Sequence, residues 1–223
     1  MKQDVRSYIA ELLGTFTLVF VGTAVAALQG FGGISGVLGI SLAFGFTLMV
    51  LVWTLGPVSG CHINPAVTIA MMVASKISVA KGVIYIIAQV VGALIASLLL
   101  RGLISGIPGT TGDVGANGNP LGMTTLSLLL FEVVMTALFL LVILSATRDD
   151  APVGFAGLAI GGFLFVAHLV GAQLGDASLN PARSLGPALV QGGAALDAVW
   201  IFIVGPIVGA VIGWILYRLV RAD

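Results

Sequence analysis

Six long apolar runs divide the chain, over roughly 8–28, 38–56, 83–100, 126–146, 153–172 and 199–217, with short polar connections between them. Each is close to the ~20 residues that cross ~30 Å of hydrocarbon, so each predicts a spanning helix. Two further apolar stretches, about 64–74 and 180–190, hold only eleven residues each. Helices of that length reach roughly half-way across a bilayer. They predict re-entrant half-helices, whose non-helical lead-ins must be buried in protein or line a water-filled cavity. Both open on the same triplet, Asn64-Pro65-Ala66 and Asn180-Pro181-Ala182. Asn is a good N-cap and Pro suits the first helical position, so each triplet marks a helix start with free N–H groups and a positive dipole end.

The pattern repeats. Glu11 and Glu132 are 121 positions apart, as are Thr15 and Thr136, and the two Asn-Pro-Ala triplets are 116 apart. Val91-Gly92-Ala93 recurs as Val208-Gly209-Ala210 at 117. The expected organisation is a single domain of two halves, about 8–104 and 123–220, joined by a Gly-, Thr-, Asn- and Pro-rich surface loop over 105–122. Each half holds three spans, an odd number, so the second half enters the membrane from the opposite side as an inverted repeat. The fold class is then an all-α membrane protein with six transmembrane helices and two re-entrant half-helices.

Composition narrows the class. Of 223 residues 59% are hydrophobic and only 8% charged, with a mean hydropathy of +1.17, where an ordinary soluble domain has about a quarter of its residues charged. Zero net charge offers nothing to nucleic acid. One cysteine, Cys61, excludes an intrachain disulfide. With only that Cys, two His without ligand spacing and no phosphate-cradling loop ending in Lys, no enzyme, metal site or cofactor is expected. Lys2, Arg6 and the run ending at Ala24-Val25-Ala26 imitate a signal peptide. Glu11 near the start of that run, and a similar segment at mid-chain, favour a spanning helix instead. With the N-terminus cytoplasmic, Lys2, Arg6, Lys76, Lys81, Arg148, Arg218 and Arg221 fall inside, against Arg101 and Arg183 outside. That bias puts both termini in the cytoplasm of a multi-pass plasma-membrane protein, with the half-helices meeting N-terminus to N-terminus at mid-membrane.

Ser59-Gly-Cys-His-Ile-Asn-Pro-Ala-Val67 and Ser178-Leu-Asn-Pro-Ala-Arg-Ser-Leu-Gly-Pro187 resemble the two signature loops of the aquaporin (major intrinsic protein) family. Glu11 to Phe16 and Ala88-Gln89-Val-Val-Gly92 resemble it too, and the Cys-containing first loop is most like prokaryotic, especially archaeal, members. The resemblance implies an aquaporin-like right-handed bundle, a homotetramer with one pore per subunit, and a passive water-selective channel that excludes protons and ions. By the family's spacing the constriction residues fall on Phe44, His168, Ala177 and Arg183. Glycerol-conducting members typically pair Trp with Gly here and carry Asp after the arginine, where this chain has Ser184. Ala177 stands where many water channels have Cys or Thr, which widens that side of the filter.

The residues support a channel by their own physics. Opposed half-helix ends put positive potential at mid-membrane, and Asn64 and Asn180 offer donors there. Such a field turns the two halves of a water file in opposite senses and opposes protons and cations, as in aquaporin-type pores generally. Leu48 lies one turn after Phe44 and Leu164 one turn before His168, so helical spacing puts both on the pore side; simple packing is the rival reading. Carbonyls of Gly60, Cys61 and His62, and of Asp176, Ala177 and Ser178, form the expected acceptor ladder. Glu11 and Glu132 read either as a proton relay or as acceptors for the backbone of the pore loops, and the resemblance favours the second. His62 reads as a loop-stabilising residue near the inner mouth, and Cys61 as a site of mercurial block.

Two other functions stand against a water channel. One is a channel for glycerol or other small neutral solutes such as ammonia, hydrogen sulfide or carbon dioxide. The other is a proton-coupled secondary transporter built on Glu11 and Glu132; a membrane scaffold with a closed pore is a third reading beside them.

Overall fold

The computed structural model describes residues 3–29, 36–175 and 177–221. Lys2, counted in the charge bias, and Asp176, placed on the acceptor ladder, lie outside them. The described residues form helices and contain no strand. Six long helices are present: α1 (Gln3–Ala27), α2 (Gly36–Ser59), α4 (Val79–Ile104), α5 (Thr125–Ala146), α6 (Ala156–Gly171) and α9 (Ile201–Val220). Two short ones, α3 (Pro65–Val73) and α7 (Pro181–Gln191), occupy the places predicted for the half-helices. A six-residue helix, α8 (Gly193–Ala198), carries no buried residue and precedes α9. α6 has 16 residues, about 24 Å at 1.5 Å each, so it is shorter than the apolar run that announced it.

Each short helix packs on the last long helix of the opposite half, α3 against α9 and α7 against α4. α1 pairs with α4, α5 with α9, and α2 crosses to α6. Glycines bring these helices together. A Cβ on Gly92 would press on the Leu12 carbonyl and sit 3.1 Å from the Phe16 nitrogen, and one on Gly209 would press on the Val133 carbonyl. Many large apolar side chains, among them Ile87, Leu98, Val134 and Val208, remain exposed on the outer faces, as expected where lipid is the solvent. Polar side chains lie inside instead: Glu11, Gln89, Glu132, Asn180 and Arg183 are all buried.

The connection between the halves departs from the expected surface loop. Val114, Ala116 and Asn117 are 0%, 8% and 3% exposed. Gly115 sits there at φ +70°, where a Cβ would lie 2.7 Å from the Thr23 carbonyl. This stretch turns inward between the helices and reaches the second pore loop.

Candidate functional site: the central pore

Asn64 and Asn180 cap the half-helices as their spacing predicts. Asn64 is extended (φ −158°) and its Oδ1 accepts from Ala66 N at 2.8 Å. Asn180 (φ −150°) accepts from Ala182 N at 3.1 Å and Arg183 N at 3.3 Å. Pro65 and Pro181 each begin their helix, where a missing N–H costs nothing. The Asn amides also do something the sequence did not announce. Asn64 Nδ2 donates to Leu179 O at 2.7 Å and Asn180 Nδ2 to Ile63 O at 2.9 Å. Each amide group has two N–H donors, and one of them braces the opposite loop.

The lead-in loops carry backbone strain at matching positions. Cys61 and Ile63 have φ of 50° and 41°, and Ala177 and Leu179 have 41° and 52°. A left-handed non-glycine residue costs about 1–2 kcal/mol. Two buried carboxylates offset this. Glu11 accepts from His62 N at 3.0 Å and Ile63 N at 2.6 Å, and also from Ser59 Oγ and Gln89 Nε2, both at 2.7 Å. Glu132 accepts from Ser178 N at 2.7 Å and Leu179 N at 2.9 Å. Bonds of this charge-assisted kind are each worth about 1.5–3 kcal/mol.

Those bonds also set the direction of the loop carbonyls. In a trans peptide the N–H and the preceding carbonyl point in opposite directions. With the N–H groups of His62 and Ile63 held toward Glu11, the carbonyls of Cys61 and His62 point away from it. The same holds for the carbonyls of Ala177 and Ser178 opposite Glu132. Among the described residues no backbone N–H donates to any of these four carbonyls or to that of Gly60. His62 is held further by a 3.2 Å contact between Nδ1 and Thr68 Oγ1.

A cavity of about 470 Å³ is lined by both Asn, by Gly60, Cys61, His62 and Ser178, by Leu48 and Leu164, and at one end by Phe44, His168 and Arg183. Leu48 and Leu164 therefore face the cavity, although each is only 4% exposed. A second cavity of about 820 Å³ begins one helical turn beyond, at Ile40, Asn117 and Ala172, and shares no lining residue with the first. The layer of Phe44, His168 and Arg183 lies between the lining of the second cavity and the rest of the first. There the Phe44 and His168 rings stack with centroids 4.4 Å apart and 17° between planes, and the Arg183 guanidinium lies 4.8 Å from the Phe44 centroid. His168 Nδ1 is 2.9 Å from Leu164 O. A carbonyl only accepts, so Nδ1 carries the proton, and Nε2 finds no protein partner among the described residues.

Ala177 does not join this layer through its side chain. It is 0% exposed, its Cβ lies against Gly171, and it lines neither cavity. Asn117, which the sequence did not single out, does reach the site. Its Oδ1 accepts from Arg183 Nη1 at 2.7 Å and from Ser184 Oγ at 2.6 Å, while Arg183 Nη1 is also 3.3 Å from Gly115 O. An Asn within a Gly-rich loop reads as a turn residue, and nothing local to its sequence signals burial.

Known proteins resemble this chain in sequence and fold. The family model for the major intrinsic protein matches residues 1–217. The chain is 42% identical to the Aquaporin Z of Bradyrhizobium diazoefficiens, over 96% of this chain and 93% of that one. It is 41% identical to the Aquaporin Z of Rhodopseudomonas palustris, over 99% of this chain and 95% of that one. Among solved structures, the aquaglyceroporin from Plasmodium falciparum superposes with a TM-score of 0.82 at 26% identity, covering 96% of this chain and 95% of that one. A pore loop capped by Asn in each half, on a bundle of this architecture, thus places the chain in the major intrinsic protein (aquaporin) family, whose members are multi-pass membrane channels and not enzymes.

Proposed function

We propose that this chain is a passive, water-selective channel of the plasma membrane that excludes protons and ions, with both termini cytoplasmic and four copies forming a homotetramer. The observation that carries the selectivity is the contact layer of Phe44, His168 and Arg183. An aromatic face, an imidazole acceptor and a guanidinium donor set meet in this layer, a chemistry that suits a small polar molecule able both to donate and to accept. Inside that layer, Leu48 and Leu164 form an apolar wall facing the carbonyl ladder. Waters there bond to one another and to a single rail of acceptors. At the centre, the remaining N–H of Asn64 and of Asn180 donates to the passing water and turns the file outward in both directions. The half-helix dipoles add a positive field that opposes hydronium and metal cations. The two halves, about 8–104 and 123–220, act as an inverted repeat around this point.

The glycerol-channel reading draws support from the fold likeness to an aquaglyceroporin. Against it stand the relatives named Aquaporin Z at 41–42% identity and the bulk of His168 and Phe44 at the constriction. A proton-coupled transporter needs a carboxylate free to exchange its proton with the lumen. Glu11 instead receives four donors and Glu132 two backbone donors. The test is stopped-flow light scattering on proteoliposomes with and without an imposed pH gradient. Fast osmotic water flux of low activation energy, indifferent to the gradient, is expected. Flux that requires the gradient would overturn the channel reading.

A further inference from the structure

The Phe44 ring, which α2 brings to the constriction, is held by two neighbours. One is the His168 imidazole of α6, stacked on it with centroids 4.4 Å apart. The other is Gly22 of α1, a buried residue with no side chain of its own. A Cβ there would fall within 2.5 Å of three consecutive ring carbons, Cδ1, Cε1 and Cζ. Three adjacent carbons that near place it against the face of the ring and not its rim. The ring therefore fills the space that any other residue's side chain would need. α1 and α6 both pack on α2, and among the described residues they do not pack on each other. Gly22 and His168 thus hold the ring from opposite sides.

The helices on either side are stopped by backbone. A Cβ on Gly45 of α2 would sit 2.9 Å from the Gly161 carbonyl of α6, and one on Gly92 of α4 would sit 3.1 Å from Phe16 N of α1. So α6 blocks α2 on its far side and α4 blocks α1. His168 is fixed as well, by Nδ1 donating to Leu164 O at 2.9 Å. A larger residue at 22 would displace the group left to move, the Phe44 ring. Carbon atoms rest about 3.5–4.0 Å apart, so the ring would retreat by more than about 1 Å. Its way leads toward His168 and the Arg183 guanidinium, which lies 4.8 Å from its centroid. The second half of the chain has no such notch: at the repeat shifts of 121 and 116, Gly22 and Phe44 correspond to Ile143 and Ile160, both in the lining of the first cavity. We propose that Gly22 is a specificity-determining residue: its missing side chain lets the Phe44 ring lie back against α1 and so sets the bore of the constriction. This rests on the water-selective reading above.

Osmotic water flux through proteoliposomes, normalised to the full-length protein incorporated, tests it against wild type. A water passing the displaced ring would meet an overlap like that of one misfit methylene, so Gly22→Ala should lower water permeability about tenfold. Glycerol flux should stay at the lipid background. In a Phe44→Ala background the ring is gone, and Gly22→Ala should change water flux no further. A Gly22→Ala channel with wild-type water flux would overturn the proposal. So would an equal loss with and without the ring, which is the mark of a general packing defect in α1. If Gly22→Ala does not reach the membrane folded, adding Phe44→Ala should restore folding, because the ring is what the new methyl opposes; a double variant that also fails to fold would overturn the proposal. Wild-type glycerol flux well above background would instead remove the water-selective reading.

Discussion

Asn64 and Asn180 brace each other's loops: each donates its side-chain amide to the carbonyl one residue before the other, at 2.7 Å to Leu179 and 2.9 Å to Ile63. The pair is therefore structural as well as polar. Asn180→Asp keeps the capping oxygen but removes both amide donors and adds negative charge at the centre. We expect reduced water flux and a measurable cation or proton leak, read with a pH-sensitive dye inside proteoliposomes. An Asn180→Asp channel with unchanged flux and no leak would contradict the role given to this pair.

The two buried acids should differ in what their loss does. Glu11→Gln replaces one oxygen of a four-donor acceptor by an amide nitrogen, so at least one donor of the first pore loop goes unmet, at about 1–3 kcal/mol. Among the described residues Glu132 has only the two backbone donors. The expected order of thermal stability in detergent is wild type, then Glu132→Gln, then Glu11→Gln, with water flux falling in the same order. Equal stabilities would count against the anchoring account.

Much of this was legible in the sequence because periodicity and capping are local. The six apolar runs, the two short segments and the Asn-Pro starts each depend on a few neighbouring residues. Glu11 and Glu132 could be paired with their loops by repeat spacing, since both loops must satisfy backbone donors away from water. The inward course of the 114–117 stretch was not legible. Its Gly, Ala and Asn composition is that of any turn, and burial there is decided by residues far along the chain, Thr23 and Arg183. Ala177 misled for a related reason. Spacing places its backbone beside the filter, but the left-handed φ of 41° directs the side chain toward Gly171 and away from the lumen.

Close packing between α1 and α4, and between α5 and α9, makes a further prediction. Gly92→Val and Gly209→Val each place branched carbons where a single Cβ already meets backbone. Overpacking of this kind costs about 1–3 kcal/mol. Both variants should unfold at lower temperature in detergent than wild type. A Gly209→Val protein of unchanged midpoint would show that these helices can part without loss.

Cys61 lines the 470 Å³ cavity at 7% exposure, beside the carbonyls of the first pore loop. A mercurial bound to its sulfur would stand in the path of water. Treatment of proteoliposomes should lower water flux, and Cys61→Ser should abolish the effect. Equal inhibition of the two proteins would place the reactive group elsewhere.

The central claim is that the layer of Phe44, His168 and Arg183 selects water over larger neutral solutes. The most direct measurement is the ratio of osmotic water permeability to glycerol permeability in proteoliposomes of the wild-type protein, corrected for protein-free vesicles. The account predicts water flux far above the lipid background and glycerol flux indistinguishable from it. Glycerol uptake well above background, on a scale comparable with water, would contradict it.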